Sequence, residues 1–277
     1  MFNRRHVQFT LAAAFVAALL TLSGCASAPP SQAALPPADA ATLAALAPTG
    51  VLRVGVYLGS PTSWVKTAAG ESAGMAHDLG QTLGKALGVP VQIVEHPRIA
   101  LVVDALQKGH VDITFTNASA GRQQVLDFTP TLLSLELGYL VAVGGKINTV
   151  QQIDAAGVKV GVTEGSSSQA ALARQFKAAQ LVTSPTVAAA QVQLKMQQID
   201  AFATNKAILS EMLQGLPGFQ ILPGRWGLEH MAVAVPKGRQ AGMPWLQSAT
   251  QQLAKQGRLA EMAQRADLRG LAAEGQP

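Results

Sequence analysis

The chain has 277 residues, 48% of them hydrophobic and 13% charged, enough for one large or two medium cores. Its formal net charge is +5, but the basic residues are scattered and aromatics make up only 5%, which excludes the clustered Lys/Arg and stacking rings of a nucleic-acid surface. The single cysteine, Cys25, excludes an intrachain disulfide and a thiolate metal cluster, and the five histidines have no i, i+3 or i, i+4 partners with which to bind a metal.

Residues 1–24 have the three parts of a secretory leader. Arg4 and Arg5 open it, residues 9–22 form an apolar run, and Ser23 and Gly24 close it with small side chains. The run is short of the roughly 20 apolar residues that a membrane span needs. Leu22-Ser23-Gly24-Cys25 resembles the lipobox of bacterial lipoproteins, which implies lipidation of Cys25; ordinary cleavage, leaving a free thiol, is the alternative. The Arg4-Arg5 pair fits a twin-arginine signal poorly because His6 and Val7 follow it. Residues 25–48 are rich in Ala and Pro, with Pro29, Pro30, Pro36 and Pro37, and read as a semi-stiff tether without a core.

From Gly50 the pattern becomes that of an α/β body. A strand is predicted at 51–57 and a helix at 74–88, where Met75, Leu79, Leu83 and Leu87 recur at helical spacing before Gly88 and Pro90. A strand at 91–95, a helix at 101–108 and a strand at 111–116 complete a βαβαβ unit. A long apolar strand follows at 135–143. Strands at 158–162, 181–183 and 201–203 then alternate with helices at 166–177, 187–196 and 206–213. A return strand at 231–235 and two helices, at 243–256 and 258–266, close the chain. The pattern predicts two α/β lobes joined by two long strands, with a ligand cleft between them.

The polar stretch after the third strand stands out. Ile113 and Phe115 alternate with Asp112, Thr114 and Thr116; then Thr116, Asn117, Ser119 and Arg122 gather at the strand's carboxyl end. Ligands of open α/β sheets bind at such ends, and an arginine can grip a carboxylate with two parallel hydrogen bonds. A plain polar loop with a solvated arginine is the alternative.

Several segments carry a family resemblance in a shared order: Val-Leu-Arg-Val-Gly-Val at 51–56, Gly-Met-Ala-His-Asp-Leu at 74–79 and Ala-Leu-Gln-Lys-Gly-His-Val-Asp-Ile at 105–113. Arg-Gln-Gln at 122–124, Asp-Phe-Thr-Pro at 127–130, Val-Gly-Val-Thr-Glu-Gly-Ser-Ser at 160–167, Ile-Asp-Ala-Phe at 199–202 and Ala-Val-Ala-Val-Pro-Lys-Gly at 232–238 continue it. From Gly50 to about Arg269 the chain resembles the bacterial extracellular solute-binding proteins of family 3, receptors of polar amino-acid ABC importers. The resemblance implies a type II periplasmic-binding-protein fold, with residues 49–140 and 232–270 in lobe 1 and 141–231 in lobe 2. It also implies a monomer without cofactor that hands a small-molecule solute to an ABC permease in the inner membrane, held to the membrane by its lipid anchor.

Carried over position by position, the resemblance implies that Arg122 binds the ligand carboxylate, with Thr116, Asn117 and Ser119 beside it. Ser166 and Ser167 open a helix whose N-terminal N–H groups and dipole favour an anion. Tyr57 and Trp64 are candidates to stack on the ligand. At two positions the chain departs from the family. The acidic residue that members carry in the loop after the first strand is missing, with Tyr57 near its place. Members that bind α-amino acids place a carboxylate five residues after the Asp of Ile-Asp-Ala, where this chain has Asn205. A neutral amide cannot offset an ammonium charge. Either the solute is not a standard α-amino acid or another carboxylate does the job; Glu229 is the candidate replacement, with Glu136 and Glu164 behind it, and a solvated surface glutamate is the alternative for each.

His77 beside Asp78 reads as the outer face of a helix, and Trp226 and Trp245 as core or hinge packing. No nucleophile–base pair is present, and Gly-Ser-Ser-Ser at 165–168 is not a nucleophile elbow. The expected function is therefore reversible binding, without catalysis, by a periplasmic, membrane-anchored lipoprotein. A dehydratase using Glu229 or Glu164 as its acid–base group, or a sensory ligand-binding protein, is the alternative.

Overall fold

In a computed structural model, residues 34–273 are described. The leader and Cys25 lie outside them. In chain order the elements are α1 (Ala40–Leu46), β1 (Leu52–Val56), β2 (Val65–Lys66), β3 (Ser72–Ala73), α2 (Met75–Leu87), β4 (Val91–Glu95), α3 (Ile99–Gln107), β5 (Thr114–Asn117), α4 (Ala120–Gln123), β6 (Leu126–Phe128) and β7 (Leu133–Ala142). Then come β8 (Lys159–Thr163), α5 (Ser167–Gln175), β9 (Gln180–Ser184), α6 (Val187–Lys195), β10 (Ala201–Asn205), α7 (Lys206–Leu213), β11 (Phe219–Ile221), β12 (Gly227–Pro236), α8 (Met243–Lys255) and α9 (Arg258–Arg265).

Two sets of layers share the long strands. β1 pairs in parallel with β4 and meets the approach to β5 at Val54 and Ile113, where Gly55 N donates to Ile113 O at 2.9 Å. β5 pairs antiparallel with β12. One face of these strands packs Leu79 and Leu83 of α2 with Leu246 and Leu253 of α8; the other packs Val102 and Leu106 of α3. In the second set, β8 lies parallel between β9 and β10, and β7 pairs antiparallel with β10. The pleat sends neighbours to opposite faces. Tyr139 and Val141 join a core with Leu172 of α5, whereas Leu140 and Phe202 join one with Leu194, Ile208 and Leu209.

β7 and β12 connect the two sets. They pair antiparallel from Leu137↔Gly227 to Leu133↔Met231. Leu135 packs in the first core while Tyr139 packs in the second, so β7 passes from one to the other within a few residues. The fold is the two-lobed α/β arrangement expected from the alternation of strands and helices.

Three features depart from the sequence-based expectation. β12 starts at Gly227, not 231, because pairing with β7 extends it; Glu229 therefore sits inside a strand. β5 starts at Thr114, and the short elements α1, β2, β3, α4, β6 and β11 have too few residues to show a period.

The third correction concerns the proposed tether. Residues 34–47 are docked on the body: Asp39 caps α1 by accepting from Thr42 N at 2.7 Å, and Leu46 is 1% exposed. Trp245 Nε1 donates to Pro36 O at 2.8 Å, Gln252 Nε2 to Ala34 O at 2.9 Å, and Arg239 Nη1 to Ala45 O. Composition alone hid this, since a seven-residue helix of Ala, Leu and one Thr looks like spacer until its burial partners are known.

Candidate functional site

Three strands end at one cleft: Tyr57 follows β1, Thr163 ends β8, and Thr204 and Asn205 end β10. Thr116 and Asn117 end β5, which runs antiparallel to β12 and delivers its own carboxyl end there. The side chains just past the last ladder positions are aimed at the gap between the two sets of layers. The cleft has about 430 Å³ of space between its atoms, its mouth included.

On one wall, Arg122 of α4 donates from Nη1 to Thr116 Oγ1 at 2.7 Å and to Asn117 O at 3.4 Å. It makes no ion pair among the described residues. Burial pushes its guanidinium below the ordinary value, and the Glu229 and Tyr57 groups act against that shift. Its charge thus faces the cleft with donors left over, since a guanidinium has five N–H groups.

On the opposite wall, Ser166 caps α5, accepting from Gln169 N at 3.1 Å. Its oxygen is thereby committed to the helix, while the first N–H groups of α5 have no intrahelical partner. Ser167 lies one residue on and donates from Oγ to Glu229 Oε1 at 2.5 Å.

Glu229 is the centre of the site. It is 6% exposed on β12, and it accepts from Ser167, from Asn205 Nδ2 at 2.8 Å and, weakly, from Asn117 Nδ2 at 3.5 Å. Its donors come from three separate elements and all are neutral. Asn205 does two things at once, because its Oδ1 also accepts from Ile208 N at 3.0 Å and caps α7. Tyr57 closes one side; its backbone N donates to Ser63 Oγ at 2.9 Å, its hydroxyl to Ser60 Oγ at 3.2 Å, and burial raises its pKa.

The structure thus brings together Tyr57, Thr116, Asn117, Arg122, Ser166, Ser167, Asn205 and Glu229. Trp64 and Ser119 are not among the lining residues. The Trp64 ring packs on the first core with Lys66 Nζ 5.0 Å from its centroid, and Ser119 precedes the four-residue α4 without making a cap bond. Glu136 pairs with Lys206 at 2.5 Å and with Arg225 at 3.5 Å, and the exposed Glu164 pairs with Arg98 at 2.8 Å, so neither lines the cleft.

Thr62, Thr163, Thr204, Ile99, Val187 and Met231 line it without having been expected. For Thr163 and Thr204 the signal existed, a hydroxyl at the end of a strand; Ile99 and Val187 open helices and look like any core residue. His77 and Asp78 are elsewhere and not on a solvated face. Asp78 is buried and held by His77 Nδ1 at 2.7 Å and Arg265 Nη2 at 2.5 Å, a structural cluster between α2 and α9. Trp226 packs on Tyr139 and Trp245 on the docked segment, as expected of packing residues.

The model of the bacterial extracellular solute-binding proteins, family 3, matches residues 52–266. The chain belongs to that family. The glutamine-binding protein GlnH of an ABC transporter from Bacillus subtilis is 24% identical over 259 residues, covering 92% of this chain and 94% of the relative. Among solved structures, the ABC transporter substrate-binding protein AbpA from Streptococcus pneumoniae, bound to L-arginine, superposes with a TM-score of 0.72 at 20% identity, covering 80% of this chain and 96% of its own. An ancestral amino-acid-binding protein, AncCDT-1, a precursor of cyclohexadienyl dehydratase, gives 0.70 at 24% identity over 81% and 98%. The cleft's two charged lining residues, Arg122 and Glu229, are the polar anchors available there.

Proposed function

We infer that this chain is the substrate-binding component of an ABC importer, capturing a small carboxylate-bearing solute, amino-acid-like in the manner of its relatives, and delivering it to a membrane permease. The observation that carries this reading is convergence: Arg122 and the opening turn of α5 face one enclosed cleft from different elements. Residues 49–140 with 232–270 act as one lobe and 141–231 as the other, hinged on β7 and β12. Solute contacts to both lobes favour the closed state, which is the population shift that drives capture.

Lipidation of Cys25 would hold a periplasmic monomer to the membrane.

A thermal-shift screen of amino acids, opines, polyamines and organic acids tests the reading. At least one carboxylate should raise the Tm, and Arg122→Ala should abolish that rise; an unchanged response would refute the role of Arg122.

A second reading rests on Glu229, a buried carboxylate 2.5 Å from a serine hydroxyl, and on the likeness to AncCDT-1. A dehydratase would use Glu229 as its acid–base group. We favour binding without conversion, and turnover of prephenate or arogenate by the purified protein would decide for the enzyme.

A further inference from the structure

We propose that the cleft selects solutes of zero net charge that carry both an ammonium and a carboxylate, and that Asn205 sets this selection by being neutral. The proposal rests on the receptor reading and goes on to fix the charge class of the solute.

Arg122 and Glu229 are the only charged residues among those lining the cleft. The other candidate carboxylates are committed elsewhere, Glu136 to Lys206 and Arg225, and Glu164 to Arg98. The fixed charge of the cleft therefore sums to zero. A zwitterion placed with its carboxylate on Arg122 and its ammonium on Glu229 leaves every charge paired. A solute with an additional cationic side chain would bring a charge that nothing in the lining offsets, and desolvated unpaired charge is strongly disfavoured. An additional carboxylate fails for the same reason, because Arg122 is the only cation in the lining.

Glu229 is built for an ammonium. Its three hydrogen-bond donors are neutral, and a carboxylate accepts about four hydrogen bonds, leaving room for another donor. Asn205 cannot rotate out of this arrangement without loss, since Nδ2 serves Glu229 and Oδ1 caps α7. An aspartate there would keep the cap but replace the 2.8 Å amide donor with a second carboxylate. The two carboxyl groups would then either share a proton or call for an additional cation, which a cationic solute supplies.

Calorimetric titration of the purified protein with glutamine, serine, lysine, arginine, aspartate and glutamate tests this. The wild type should bind a neutral amino acid at least about 10- to 100-fold tighter than any charged one, the factor expected for one uncompensated charged hydrogen bond. Asn205→Asp should reverse that order toward lysine or arginine by at least about 10-fold. Where Asn205→Asp fails to fold, Glu229→Gln provides the complementary readout: neutral amino acids lose about 10- to 100-fold and 2-hydroxy acids, which lack the ammonium, gain relative to them. Wild-type binding of arginine, lysine or an acidic amino acid as tight as that of any neutral one overturns the charge selection and leaves the receptor reading standing. Failure of all six to bind, with no carboxylate active in the thermal-shift screen, overturns both.

Discussion

Truncation of Leu46 measures whether the docked N-terminal segment belongs to the fold. Leu46 is 1% exposed and fills a slot that exists because residue 242 is glycine: a Cβ added there would lie 2.5 Å from Leu46 Cγ. Leu46→Ala removes three carbon atoms from a site hemmed in by α8 and its lead-in, so collapse is limited. Such truncations cost about 3 kcal/mol. For a body of this size, roughly 2–4 °C of Tm per kcal/mol gives a fall of about 6–12 °C. Urea unfolding followed by far-UV circular dichroism reads the change in midpoint. Gly242→Ala alone should also destabilise, by about 1–3 kcal/mol of overpacking. In the double variant the new methyl occupies part of the space that Leu46 vacated, so the two losses should add to less than their sum. A Leu46→Ala loss under about 0.5 kcal/mol, or strict additivity in the double variant, would refute the docking of residues 34–47 and restore them to the spacer.

Two further perturbations address closure and acid stability. Arg98 before α3 and Glu164 after β8 join the two sets of layers at 2.8 Å, and Gly165 (φ +69°) approaches so near that an added Cβ would lie 2.5 Å from Ala100 Cβ. The ion pair is partly exposed, so Arg98→Ala should weaken solute affinity by no more than about 5-fold, and less at high salt. Gly165→Val should weaken it far more, with a more open envelope in small-angle scattering; equal effects would contradict an interlobe contact at Gly165. Asp78 provides the pH test. Burial raises its pKa, but His77 and Arg265 outweigh that and hold it below the ordinary carboxylate range. A carboxylate with a depressed folded-state pKa stabilises fully above its unfolded value and loses that contribution as pH falls through the folded one. Stability should therefore drop below about pH 4, and Asp78→Asn should flatten that part of the pH profile in urea titrations; parallel profiles would refute the role of Asp78.

What was legible in the sequence followed from short-range periodicity. Met75, Leu79, Leu83 and Leu87 specify one face of α2, because a period repeats within a single element. Arg122, Thr116 and Asn117 were legible as a candidate site because they crowd the end of one strand, and they line one cleft. The departure at Asn205 was visible too, and it pointed to Glu229. The sequence could not supply the distances between residues far apart in the chain. Ser167 and Glu229 are 62 residues apart, Asn117 and Glu229 are 112 apart, and only the antiparallel pairing of β7 with β12 carries Glu229 into the cleft while Glu136 and Glu164 are drawn into ion pairs elsewhere. The same holds for Leu46, whose partner Gly242 lies at the other end of the chain. Residue types and local periods are written into a segment, whereas burial and hydrogen-bond partnership are properties of whichever surfaces meet, and the tertiary structure alone decided those.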